Sequence, residues 1–283
     1  MVGSEHTKPY NIGENTNDWC TPSPMPGILT VLWGLSIFAN GVAAWRLYHL
    51  QLHRVYRFFF AYLSFAAVRS LTLFVLTSGV GSNVYAIIYL VTAPILWVFY
   101  VMVVLELYSL VLRNYTGIQS LGRWTVYGAL TFSIAVSILT LIPSAGAESS
   151  RLLFWCLPVE RGVVFSLVIF LLLILLFLSI YPVALSRNIL IHCVVYTVFF
   201  LGISMMILIR NVVGDASMHV LNTVVLMMNL ACYAAWILLL TREGEKRVTT
   251  MRHNWTQPEE QRLIDQLNTI NATLLRAARK QHL

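Results

Sequence analysis

Arg69 and Glu106 are the residues whose types and positions point most directly to chemistry, because each is an ionisable side chain inside a long apolar run. Arg69 stands twelve positions after Arg57, about 18 Å along a helix. An unpaired charge at that depth in a bilayer costs several kcal/mol, so it is expected to face the interior of a helix bundle or water. Glu106 is the only acidic residue within any run, seven positions before Arg113 and about 10 Å from the end of its run. The two runs are consecutive and joined by a short connection, so an Arg69–Glu106 pair, direct or through a polar intermediate, would satisfy both charges. Two roles fit such a pair. It can lock two helices together, or it can form a polar pocket or ion path to which Asn40, Tyr62, Asn229 and Tyr233 contribute from other runs.

The remaining candidates carry weaker chemistry. His49 and His53 stand four apart, a spacing that can chelate a transition metal if the helix continues through them. Arg46, Arg54 and Arg57 flank them and would repel a cation, so anchoring at the membrane interface is the favoured role. Asp215 or Ser217 can cap the helix that begins near His219. His192 and Cys193 enter a run with no visible metal partner. Cys20 and Cys156 each follow a tryptophan and can form a disulfide in an oxidising compartment, with two free thiols as the alternative. Four cysteines are too few for a disulfide scaffold, and no CxxC pair marks a zinc site. The chain has no HExxH, GxSG or DDxxD motif, no phosphate-cradling glycine loop, and no lysine in its last run for a retinal Schiff base. No catalytic residue and no cofactor is predicted, and the sequence leans away from an enzyme.

The elements that must position these residues are apolar. Of 283 residues, 58% are hydrophobic and 11% charged, whereas a soluble domain carries about 25% charged residues. That deficit excludes an ordinary soluble enzyme and a disordered chain. Seven runs stand out, at 28–45, 58–77, 84–112, 124–142, 162–182, 189–209 and 220–240. Crossing a hydrocarbon core of about 30 Å takes about 20 helical residues. The third run is too long for one upright span and too short for two. Pro94 within it predicts one tilted or kinked helix whose end leaves the hydrocarbon; two spans would instead reverse the sidedness of everything after it.

Orientation follows from the connections. Fourteen of the 19 Lys and Arg residues fall on one side and four on the other, with Arg69 inside a span. This bias predicts an N-terminus outside and a C-terminus in the cytoplasm. It also places the positive charge at the ends of apolar runs rather than on a nucleic-acid-binding face. Residues 1–27, polar and with four prolines, read as an extracytoplasmic tail without a signal peptide.

Beyond Thr241 the composition turns polar. Thr256 and Glu259 have the spacing of a capping box, and the pattern predicts a helix over 257–280 with acids early and bases late, matched to the helix dipole. Leu263, Leu267, Ile270 and Leu274 form a narrow apolar seam. Three arrangements fit it: docking on the bundle, lying on the inner membrane surface, or pairing with a second copy or a cytoplasmic protein.

The organisation resembles that of seven-helix receptors, and Asn229 and Tyr233 match the outer positions of their NPxxY element. Leu230 replaces its proline, Glu106-Leu107-Tyr108 replaces the acidic-Arg-Tyr triplet, and the sixth run lacks CWxP. At the level of topology the chain looks more like small seven-helix integral membrane proteins of bacteria, some of them sensory modules. The expected fold is an all-α polytopic bundle, 28–241, with a cytoplasmic tail, 242–283, in the bacterial inner membrane. The expected function is a sensory or partner-binding module with the lipid bilayer and a cytoplasmic protein as partners and no nucleic acid. A transporter with its site at Arg69 and Glu106, or a membrane scaffold subunit, are the alternatives.

Overall fold

The computed structural model describes residues 27–76, 82–113, 115, 128, 131, 151–181, 183, 185–213, 218–246, 248–249 and 257–280. Its helices are α1 (Gly27–His49), α2 (Arg57–Leu76), α3 (Ser82–Val111), α4 (Arg151–Ile180), α5 (Arg187–Val213), α6 (Met218–Leu239), the short α7 (Arg242–Lys246) and α8 (Gln257–Lys280). Helices α1 to α6 are each long and apolar enough to cross a membrane. The 124–142 run lies outside the described residues apart from two isolated helical positions, 128 and 131.

Helix α3 is one continuous helix of 30 residues with Pro94 inside it, so the third run is a single span. At 1.5 Å per residue it is about 45 Å long, more than the hydrocarbon core needs. Between α1 and α2 the chain turns sharply. Gln51 takes a left-handed conformation (φ 60°) and Leu52–Arg54 form a single 3-10 turn. Helix α1 therefore ends at His49, and the basic Arg46 and His49 in its last turn oppose the negative end of its dipole.

The six helices close into a ring. α1 packs on α2 and α6, α2 on α3, α3 on α4 and α5, α4 on α5, and α5 on α6. Tyr62, Leu63, Val104, Leu167, Leu171, Tyr196, Phe200 and Trp236 fill its interior, each fully or almost fully buried. Large apolar side chains also cover the outside: Ile28 is 72% exposed, Phe38 68%, Val220 66% and Leu238 72%. Water would penalise that surface heavily and lipid does not, so the chain is built as a membrane protein.

The end of the ring at which α1 finishes and α2 begins is called the tail end here, and the opposite end the head end. At the tail end, β1 (Leu185–Ser186) pairs antiparallel with β2 (Val248–Thr249), Leu185 opposite Thr249 and Ser186 opposite Val248. This joins the segment after the last span to the α4–α5 connection. In α8, Leu267 is buried within the same apolar cluster as the bundle core, while Leu263, Ile264 and Leu274 are half-buried. Ile270, expected in the seam, instead points outward with Leu275.

Candidate functional site

The expected Arg69–Glu106 pair does not form; the two residues sit towards opposite ends of α2. The Glu106 carboxylate accepts from the Phe58 amide through both oxygens (3.1 Å each) and from the Phe59 amide through Oε2 (3.2 Å). Helix α2 has no acidic residue in its own first turn, and its N-terminal N–H groups carry partial positive charge with no intrahelical acceptors. Glu106 supplies the missing anion from α3. Arg69 lies ten residues further along α2 than Phe59, about 15 Å away, beyond the reach of either side chain. Nor is Glu106 the only acid in the long helices, because α4 begins before its apolar run and includes Glu160.

In the head half of the ring, Arg69 Nε donates to Thr92 Oγ1 at 2.8 Å. Thr92 is itself fixed by donating to the Ile88 carbonyl at 2.7 Å. The Arg69 guanidinium carbon lies 5.0 Å from the centre of the Tyr89 ring, a cation–π contact.

At the centre, the Tyr62 ring centroid lies 5.5 Å from that of Tyr100. Two of the four expected pocket residues, Tyr62 and Tyr233, are buried in the core. Asn40 and Asn229 each carry a buried Oδ1 without a hydrogen-bond partner. Towards the tail end the core becomes an aromatic box around His192, whose ring centroid lies 4.5 Å from Tyr56, 4.7 Å from Phe59 and 6.1 Å from Tyr196. Both His192 nitrogens, the Tyr196 hydroxyl and Trp236 Nε1 are buried without partners.

Among the described residues a dense polar cluster lies at the tail end, where the sequence pointed to nothing. Glu245 Oε2, on α7, accepts from the Tyr56 hydroxyl at 2.8 Å, from Ser186 Oγ at 3.3 Å and from Asn188 Nδ2 at 3.4 Å. Asn188 Nδ2 also donates to the Thr241 carbonyl at 2.8 Å, while its Oδ1 accepts from the Thr241 amide at 3.4 Å. Thr241 Oγ1 in turn accepts from the Gly244 amide at 3.0 Å, closing α7 at its N-terminus. Gly244 is required by space: a Cβ there would collide with Asn188 Oδ1. Burial, and then the Glu245 carboxylate, push the Tyr56 phenol far above its ordinary pKa, so Tyr56 remains a donor. Arg46 Nη2 adds a bond to the Leu240 carbonyl at 3.4 Å. One carboxylate thus ties the tail to the α1–α2 corner and to the start of α5.

The histidine spacing does not produce a chelate. With α1 ending at His49, the two rings part: His49 lies against Trp45, and His53 stacks on Tyr48 and contacts Phe60. Among the described residues no group of three or more His, Cys, Asp or Glu side chains is placed to hold a metal. Cys193 and Cys232 are buried free thiols. Cys20 and the side chain of Cys156 lie outside the described residues, as do Asp215, Ser217, Thr256 and the side chain of His219. No family model, no curated protein and no solved structure matches this chain.

Proposed function

We propose that the chain is a sensory or partner-binding membrane module in which the packing of the ring is passed to α8 through the Glu245 cluster. The observation that carries the reading is that one carboxylate on the post-span segment gathers donors from two separate tail-end connections, Tyr56 and the Ser186/Asn188 pair. A shift of α2 or α5 therefore strains the segment leading to α8. The exposed Ile270, on the same side of α8 as Leu263 and Leu274, leaves an apolar position open to a cytoplasmic protein or a second copy.

Seven spans, with the N-terminus outside and the C-terminus in the cytoplasm, belong to this proposal. Helices α3 and α4 run parallel: α3 reaches the tail end near Glu106, which bonds the start of α2, and α4 ends at Ile180, five residues before the tail-end strand β1. Parallel neighbours need a connection that returns along their length, and 124–142 is an apolar run of suitable length for it. An odd number of spans with the basic residues gathered at the tail end supports a cytoplasmic C-terminus. Residence in a bacterial inner membrane rests on the topological resemblance, and a Cys20–Cys156 bridge on the oxidising exterior this orientation implies. The separation of Arg69 from Glu106 removes the single site on which the transport reading depended. A scaffold would need no such coupling.

The test is a distance measurement in proteoliposomes between nitroxides on α8 and on the tail-end turn of α5. Coupling predicts a narrow distribution in the wild type and a broad one in Glu245→Ala. Identical distributions in the two proteins would count against the module.

A further inference from the structure

The corner between α1 and α2 presents basic side chains to its surroundings. Arg54 and Arg57 are both exposed, and Arg57 Nε donates to the Arg54 carbonyl at 3.2 Å, which keeps the two residues together on one turn of chain. No Asp or Glu occurs anywhere from Gly27 to Leu76. Two acids reach this corner from other elements, and both are engaged with it: Glu106 accepts from the Phe58 and Phe59 amides, and Glu245 from the Tyr56 hydroxyl. Beside the arginines, in the last turns of α1, Trp45 is 66% exposed and Tyr48 57%. Their rings are held in place. Trp45 lies 5.6 Å from His49 between centroids, and Tyr48 stacks at 5.0 Å on His53, which also contacts Phe60. Exposed Trp and Tyr rings at the end of a membrane span settle at headgroup level. The adjoining Arg54 and Arg57 therefore stand at the level of the lipid phosphates.

We propose that the α1–α2 corner is a docking site for an anionic glycerophospholipid of the leaflet at the tail end. Arg54 and Arg57 take its phosphate, and Trp45 and Tyr48 flank its glycerol and upper acyl chains. A guanidinium offers paired N–H donors that match phosphate oxygens, and Arg57 keeps both Nη groups for this while its Nε holds the Arg54 carbonyl. Anchoring by aromatic rings needs no particular headgroup; the paired arginines add a preference. In phosphatidylcholine the choline cation offsets the phosphate, whereas phosphatidylglycerol keeps its net negative charge for the two bases. Each base near an anionic lipid surface raises affinity about fivefold. The inference rests on the chain being a membrane protein and not on the sensory reading.

The test is electron spin resonance of the full chain in phosphatidylcholine vesicles that carry a trace of spin-labelled phosphatidylglycerol or, in parallel, spin-labelled phosphatidylcholine. The motionally restricted fraction of each label reports how strongly that lipid associates with the protein. The expected result is a preference for phosphatidylglycerol at one site per chain. It falls about fivefold in Arg54→Gln and in Arg57→Gln and vanishes in the double variant. Replacing Arg187 and Arg242 together by Gln removes two exposed basic residues of the same end outside the corner and leaves the preference in place. Inorganic phosphate in the buffer does not release the labelled lipid, because the acyl chains are part of the ligand. Thermal unfolding verifies that each variant is folded. Equal restriction of the two labels in the wild type overturns the site, as does a preference that survives loss of both Arg54 and Arg57. An equal loss in the Arg187 and Arg242 variant would assign the preference to diffuse surface charge, and release by phosphate would assign it to a free anion; either result also overturns the site.

Discussion

Arg69 and Glu245 are both charged groups in an apolar molecule, and their surroundings differ in one decisive respect. Glu245 is shared: three side chains donate to its Oε2, and their neighbours close the loop through Thr241 and Gly244. Arg69 is positioned by Thr92 and Tyr89 but not neutralised. A half-buried charge shared by several partners acts as a joint, because removing one partner leaves another unsatisfied. A charge held by neutral partners alone has no such loop to break. The same contrast separates Glu106, spent on the amides of Phe58 and Phe59, from the polar atoms of His192 and Tyr196 that lack partners.

If this contrast holds, Glu245→Ala is the most damaging single change. It strands the Tyr56 hydroxyl and the Asn188 amide, and a lost charged hydrogen-bond partner costs about 2–3 kcal/mol. Thermal unfolding in detergent should show a clear fall in midpoint, with faster amide exchange at 185–189 and 242–246. Gly244→Ala should follow, costing about 1–3 kcal/mol as an over-packed contact, since the added methyl group strikes Asn188. Its exchange pattern should match that of Glu245→Ala. Glu106→Gln should cost about 1 kcal/mol, the scale of a helix-terminus charge, with the change in exchange confined to the amides of Phe58 and Phe59. Arg69→Met should change stability least, by about 1 kcal/mol or less in either direction, because replacing a poorly compensated intramembrane charge with an apolar chain of similar length removes a desolvation cost. A large loss in Arg69→Met would place Arg69 among the joints and erase the distinction.

Much of the fold was legible because its cause is crude. Runs of apolar residues with few charges mark helices that lipid favours, and six of the seven runs correspond to described membrane-length helices. Pro94 correctly pointed to one long helix, and the break in composition after Thr241 anticipated α8 at Gln257–Lys280. The sites were less legible, for a geometric reason. Depth along a helix can be counted from sequence, whereas rotation about its axis cannot. Arg69 and Glu106 were rightly placed in the spans yet wrongly paired, because the partner of Glu106 is backbone at a helix start, which has no side-chain signature. Thr92 and Tyr89, three apart on α3, look like any other part of an apolar run. Glu160 was overlooked because α4 extends well before its apolar stretch. Glu245 was hidden differently: an acid among Arg242, Glu243 and Lys246 reads as a solvated tail, and only tertiary structure brings Tyr56 and Asn188 to it. His49 and His53 depended on a continuous helix, which Gln51 ends.

The most direct test of the account is a double-mutant cycle on Tyr56→Phe and Glu245→Gln, with unfolding free energies measured in the same detergent. A joint between the α1–α2 corner and the post-span segment predicts a coupling of about 1 kcal/mol or more, the double variant losing less than the two single losses combined. Additivity within about 0.3 kcal/mol would mean that the two residues stand side by side without acting on each other, and that the tail is not tied to the ring through Glu245.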